Sequence, residues 1–205
     1  MIGILDLGIG NLRSLSNAVH QNGFDFRIIE DAAAFDDLTH LIIPGVGHFR
    51  AAMAVVEQRR LRAPIQAFVA GGRPLLGVCL GMQLLAAKGT EGGPSDGLGL
   101  VPGTVRRIEP GPGLRIPHIG WNVMSAKKPH PVLNGLKPDR DFYFVHSYAM
   151  VCDSPDDVLG VTDYGGEVTA AVARGNVVGF QFHPEKSEVN GLKLLENFCL
   201  WDGRC

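Results

Sequence analysis

The first ninety residues alternate short, β-rich apolar runs bounded by glycine and proline with longer stretches of helical period. That alternation points to a parallel sheet covered by helices, because parallel neighbours need a crossover and the crossover buries its apolar stripe on the sheet. Three such units are legible. Residues 2–7 read as a strand, 8–10 as a tight turn, and 11–21 as a helix with Leu12, Leu15 and Val19 on one face, ended by Gly23. Residues 41–43 are a buried strand stopped by Pro44-Gly45-Val46-Gly47, after which Phe49, Met53 and Val56 recur at helical spacing. Residues 74–78 form a third strand, and a helix is predicted over 80–88 with Gly89 as its cap.

From about residue 90 to Pro138 the texture changes to glycine, proline and short alternating segments, which predicts loops and mixed or antiparallel strands. Residues 142–148 read as a strand, and 168–173 with 177–182 as a hairpin joined at Arg174-Gly175-Asn176. A last helix over 189–200 turns Leu192, Leu195 and Phe198 or Cys199 inward. With no internal repeat or low-complexity linker, residues 1–205 read as one α/β domain: an open, mostly parallel sheet flanked by helices, with an added antiparallel region. At 205 residues the chain is sized for one full domain, leaving no room for a second catalytic one.

Composition narrows the partners. A hydrophobic content of 45% against 20% charged residues favours a packed core over disorder. Nineteen basic and twenty-one acidic residues leave a formal charge of -2, which argues against a global field for nucleic acid or anionic membrane. The amino terminus lacks a basic segment before its short apolar run, and no stretch reaches the roughly 18 apolar residues of a bilayer span, so a cytoplasmic location is expected. Cys79, Cys152, Cys199 and Cys205 form no CxxC pair and no cluster with histidine at zinc spacing, so reduced thiols and no metal are expected. Gly8-Ile9-Gly10 has Arg13 where a dinucleotide fingerprint needs its third glycine, and no cofactor is indicated.

The strongest chemical signal is Gly77-Val78-Cys79-Leu80-Gly81, a nucleophile-type residue between two glycines at a strand-to-helix junction. Glycine two residues either side removes the Cβ atoms that would collide in so sharp a turn. A sulfur at a helix amino terminus is also favoured as thiolate. A cysteine in apolar sequence is more often an ordinary core residue, and it is the flanking glycines and the junction that set Cys79 apart. A thiolate attacking a carboxamide needs a proton donor for the departing amine. His183 ends a predicted strand and precedes Pro184 and Glu185; at i and i+2 on an extended segment, Glu185 can orient the His183 ring. Taken singly, these two are a strand-end histidine and a solvated charge. An oxyanion would be held by the Leu80 amide and a second amide near Val46 or Gly47, at the end of a neighbouring strand.

GVCLGMQ at 77–83, PGVG at 44–47 and QFHPEKS at 181–187 together resemble the class I, triad-type glutamine amidotransferases. DLGIGNLRSL at 6–15, GLGLVPGTV at 97–105, IPHIGWN at 116–122 and FYFVHSY at 142–148 are similar, more narrowly, to the glutaminase subunits of imidazole glycerol phosphate synthases of histidine biosynthesis. The resemblance implies Cys79 as nucleophile, His183 as general acid and base, and Glu185 as its orienting carboxylate. It implies that Gly45, Gln83, Glu91, His146, Ser147 and Tyr148 hold the substrate glutamine, and that Asn11, Trp121, Asn122 and Lys186 lie near the partner. It further implies that ammonia passes to a separate (β/α)₈-barrel synthase subunit in a heterodimer. Because losing one oxyanion donor costs about 10²- to 10³-fold in rate, a misplaced PGVG segment can act as an off-switch, and low glutaminase activity is expected until that partner binds its own ligand. Leu7 stands where a tyrosine is common and Arg115 where lysine is usual. Three other readings share parts of this pattern: the amidotransferase subunit of another pathway such as anthranilate synthesis, a non-catalytic binding subunit of the same fold, and a cysteine peptidase. The anthranilate-type subunits lack PHIGWN and FYFVHSY, all three triad positions are present, and nothing suggests a peptide groove.

Overall fold

The computed structural model describes residues 1–137 and 141–204, so Cys205 and the Pro138 boundary lie outside the described residues. The chain runs through β1 (Ile2–Leu5), α1 (Leu12–Gln21), β2 (Phe26–Ile29), β3 (His40–Gly45), α2 (Phe49–Gln58), α3 (Arg62–Ala70), β4 (Leu75–Cys79) and α4 (Leu80–Leu84). It continues through β5 (Ala86–Gly89), β6 (Ser95–Asp96), β7 (Val101–Arg107), β8 (His118–Val123), β9 (Ser125–Ala126), β10 (Asp141–His146) and β11 (Tyr148–Cys152). The last elements are β12 (Val158–Asp163), β13 (Glu167–Arg174), β14 (Val177–Phe180) and α5 (Glu188–Leu200).

An eight-stranded sheet in the order β2-β1-β3-β4-β14-β13-β12-β9 organises the molecule. Its first five strands are parallel, and from β14 onward the pairing is antiparallel. Side chains alternate between two cores, as the two-residue period of a strand requires. Ile42, Leu76 and Val78 pack on one face with Leu15 and Val19 of α1 and Leu195 and Phe198 of α5. Leu41, Ile43 and Leu75 pack on the other with Phe49 and Met53 of α2, Phe68 of α3 and Leu80 of α4. Burial on both faces explains why β1 and β4 read as continuous apolar runs. Two further sheets complete the fold, the ribbon β10-β8 and the four strands β11-β7-β5-β6. No helix among the described residues is long and apolar enough to cross a membrane.

Two sequence expectations are corrected. The helix predicted over 80–88 stops at Leu84, and residues 86–89 form β5 instead. Backbone carbonyls that would continue the helix are claimed by the returning chain: Leu84 O accepts from Leu98, Leu85 O from Leu100 and Val101, and Ala86 O from Gly99. Gly89 therefore caps nothing. The segment 142–148 is two strands, broken at Ser147, because β10 pairs with β8 while β11 pairs with β7 in a different sheet. The strands β2 and β12 and the helix α3, where Pro64 occupies the first turn, add elements that apolar periodicity did not reveal.

Candidate active site

Three adjacent parallel strands, β3, β4 and β14, bring their carboxyl ends together. The register sets Gly45 directly opposite Cys79 and Phe180 opposite Val78, so the chain leaving each strand enters one region. Cys79 itself has φ 54° and ψ -110°, in the sterically costly left-handed half of conformational space for a residue with a side chain. Its neighbours make that turn possible. A Cβ on Gly77 would stand 2.6 Å from the Gly81 carbonyl oxygen, and one on Gly81 only 1.7 Å from that of Ile43.

His183 follows β14, which ends at Phe180, three residues before it. The pairing of His183 with Glu185 is made by a turn rather than by an extended strand, since residues Pro184–Lys186 form a single 3₁₀ turn with proline at its start, where a fixed φ suits a helical entry. His183 Nδ1 donates to Glu185 Oε1 at 2.8 Å, and both side chains are 3% exposed. Burial of the ring disfavours its charge, yet the Cys79 sulfur and the Glu185 carboxylate beside it outweigh that and raise its pKa to about 9. Nε2 is buried without a hydrogen-bond partner, which leaves it as the ring nitrogen available for proton transfer. The turn is held from both sides: Tyr143 O accepts from the His183 amide, and Ser187 Oγ bonds the His183 carbonyl. Against it packs α5, with Gly191 so close that a Cβ there would lie 1.9 Å from Pro184 O.

A cleft of about 380 Å³ opens beside the sulfur. Cys79, Leu80, Gln83 and Glu91 line one part, Val46 and Gly47 another, and Val145, His146, Ser147 and Tyr148 with Pro117 the rest. Gly47 has φ +113°, a conformation that glycine adopts without strain. Gly45 does not line the cleft; it lies under Leu80, where a Cβ would meet the leucine Cβ at 3.2 Å. Glu91 spends one carboxylate oxygen on the amide of Phe49 at 2.8 Å, capping α2, whose own cap His48 supplies no side-chain bond. Gln83 Nε2 donates to Tyr148 O at 2.9 Å and to Gln181 Oε1 at 3.1 Å, and Gln181 Nε2 lies 3.9 Å from Cys79 Sγ. A larger depression of about 750 Å³, lined by Arg106, Cys152 and Tyr164 among others, shares no residue with this cleft.

Residues 4–201 match the family model for class-I glutamine amidotransferases. The chain belongs to that family. It is 45% identical over 201 residues to imidazole glycerol phosphate synthase subunit HisH of Desulfitobacterium hafniense, covering 98% of this chain and 94% of the relative. Subunit HisH 2 of Nitrobacter winogradskyi is 46% identical over 208 residues, covering 98% of each. The structure of PurLQS from Thermotoga maritima superposes with a TM-score of 0.76 at 20% identity, over 97% of both chains, a likeness of fold. Within the amidotransferases the chain therefore groups with the HisH subunits.

On this amidotransferase fold the four residues assigned to a partner surface have different surroundings. Trp121 is 48% exposed on the outer face of β8 beside Ile119 and Val123, edge-on to Tyr143, and Lys186 lies 5.7 Å above that tyrosine ring. Asn11 is exposed and caps α1, accepting from the Ser14 amide. Asn122 points inward, donating to Asp163 O at 2.9 Å and to His118 Nε2 at 3.3 Å. Leu7 is buried in the core and Arg115 is exposed. Gln181 and His118 were missed as single residues; their signal was a polar side chain in an otherwise apolar strand segment, which burial makes meaningful.

Proposed function

We propose that this chain is the glutaminase subunit of an imidazole glycerol phosphate synthase, releasing ammonia from glutamine for a separate (β/α)₈-barrel subunit. The observation that carries the reading is the convergence of Cys79, the His183–Glu185 pair and a cleft of substrate size at the ends of neighbouring strands.

Cys79, as thiolate paired with the His183 imidazolium, attacks the side-chain carbonyl carbon of glutamine. Because α4 has only five residues, its dipole is weak, and the imidazolium is the main stabiliser of the sulfur's charge. The tetrahedral oxyanion is held by the Leu80 amide and an amide of the Val46–Gly47 segment, and His183 gives its proton to the leaving nitrogen. Water then attacks the thioester, with His183 as base, and glutamate departs. Glu185 keeps the ring oriented throughout and favours its charged form whenever it holds the second proton. Gln83, Glu91 and the 146–148 segment hold the substrate.

Ammonia released into water is largely protonated and loses its nucleophilicity, so a docked acceptor site is required. The exposed Ile119, Trp121 and Val123 on one face of β8 support a partner surface there. The test is glutamate release and labelling of Cys79 by an electrophilic glutamine analogue, with and without the barrel subunit and its ligand. Labelling at Cys79 with glutamate release that rises when the ligated partner is added is expected; absence of labelling would refute the reading.

A further inference from the structure

A chain of hydrogen bonds links the surface to the Cys79 sulfur through two histidines. Tyr148 O can only accept, so His146 Nδ1, 2.9 Å away, must carry its hydrogen. His146 is buried and neutral: burial, with the neighbouring His118 and His183 rings adding to it, lowers its pKa to about 4 against the opposing pull of the Tyr148 carbonyl. Its Nε2 is therefore an acceptor, and the hydrogen on the 2.9 Å contact belongs to His118 Nδ1. His118 Nε2 is in turn free to accept from the Asn122 amide. Asn122 is fixed in that orientation because its Nδ2 also serves Asp163 O while its Oδ1 takes the Val123 amide.

At Tyr148 O the donor direction converges from both sides. Tyr148 O also accepts from Gln83 Nε2, whose second hydrogen goes to Gln181 Oε1. An amide whose oxygen is so engaged must turn its nitrogen the other way, and Gln181 Nε2 is the group facing Cys79 Sγ. The His118 ring is clamped between Phe144 and Tyr164, stacked at centroid distances of 4.8 and 4.1 Å.

We infer that His118, which does not line the cleft, is a positioning residue: its Nδ1–H satisfies the buried His146 Nε2 and holds that ring against the Tyr148 carbonyl, the shared acceptor that places Gln83 and, through it, the Gln181 amide presented to the Cys79 sulfur. This rests on the function proposed above. Without that donor the buried His146 Nε2 is left unsatisfied, and the ring and the carbonyl it holds lose their fixed geometry.

Two variants of the full chain separate positioning from packing. His118→Phe keeps the ring stack and removes the donor, whereas His118→Asn keeps an N–H near the Nδ1 position and removes the ring. Glutamate release is measured in complex with the barrel subunit, Cys79 alkylation by iodoacetamide in the free chain, and thermal unfolding in both variants. The phenylalanine variant is expected to unfold near the temperature of the unmodified chain, to lose about ten- to a hundredfold in kcat and alkylation rate, and to change KM far less. The asparagine variant is expected to regain most of that loss. A phenylalanine variant within about twofold of the unmodified rates, or an asparagine variant as slow as it, overturns the inference. Should the phenylalanine variant fail to fold, the asparagine variant decides alone, a loss under about fivefold supporting the inference and a larger one overturning it. If the unmodified complex releases no glutamate, the proposed function fails instead, and the alkylation rates still decide the role of His118.

Discussion

Gly81 lies so close to Ile43 that a methyl group on it would stand 1.7 Å from the Ile43 carbonyl oxygen. The contact is backbone on backbone, between the start of α4 and the end of β3, and neither side can yield without moving Cys79 or the PGVG segment. Gly81→Ala is expected to cost about 1–3 kcal/mol or more of stability and to suppress glutaminase activity beyond what the stability loss explains. Denaturant unfolding alongside glutamate release checks this, and an active, stable variant would show that the elbow tolerates a side chain.

Cys79→Ala removes the nucleophile without touching the face that carries Trp121. Synthesis driven by glutamine in the complex is expected to vanish, while synthesis from added ammonium salt continues at the unmodified rate. Loss of both would contradict the division of labour between the two subunits.

Glu185→Gln removes one of the two groups that hold His183 charged. With the imidazolium less favoured, the alkaline limb of the glutaminase pH profile is expected to move to lower pH. The same change alters stability. His183 has a raised pKa, so its charge stabilises the fold fully below about pH 6.5, and that contribution is lost as pH rises through about 9. Denaturation midpoints between those limits are expected to decline in the unmodified chain and less so in Glu185→Gln; parallel curves would count against the pairing.

Acid acts through other histidines. His130 and His146 have pKa values lowered to about 4, and those of His40 and His118 are also lowered, in every case chiefly by burial. The unfolded chain binds protons at these sites from about pH 6.5 downward while the folded chain does not, so stability is full above that pH and falls as pH drops toward 4. Unfolding free energies measured across this range are expected to fall, and His130→Gln, which leaves the proposed active site untouched, is expected to flatten the slope. An unchanged slope in that variant would remove His130 from the account.

Much of this was legible in the residues. Gly77 and Gly81 around Cys79 announced the turn because a Cβ at either position would stand 2.6 or 1.7 Å from a backbone carbonyl oxygen. The parallel half of the sheet followed from apolar runs too short for helices and too continuous for a one-faced strand. Residues 85–89 misled because Ala86, Ala87 and Lys88 suit a helix, while distant hydrogen bonds from 98–101 took the carbonyls a helix would need. Local preference could not reveal that competition.

The chain's own pattern determined which residues stand at strand ends and which glycines permit close approach, since these depend on neighbours within a few positions. Only the tertiary structure decided that His183 meets Glu185 through a turn, that Glu91 caps α2, and that His118 lies in line with Cys79 through four intervening residues. The first is a local turn whose form spacing alone left open; the other two join segments dozens of residues apart, and their partners are selected by the order of strands in the sheet, which no local spacing encodes.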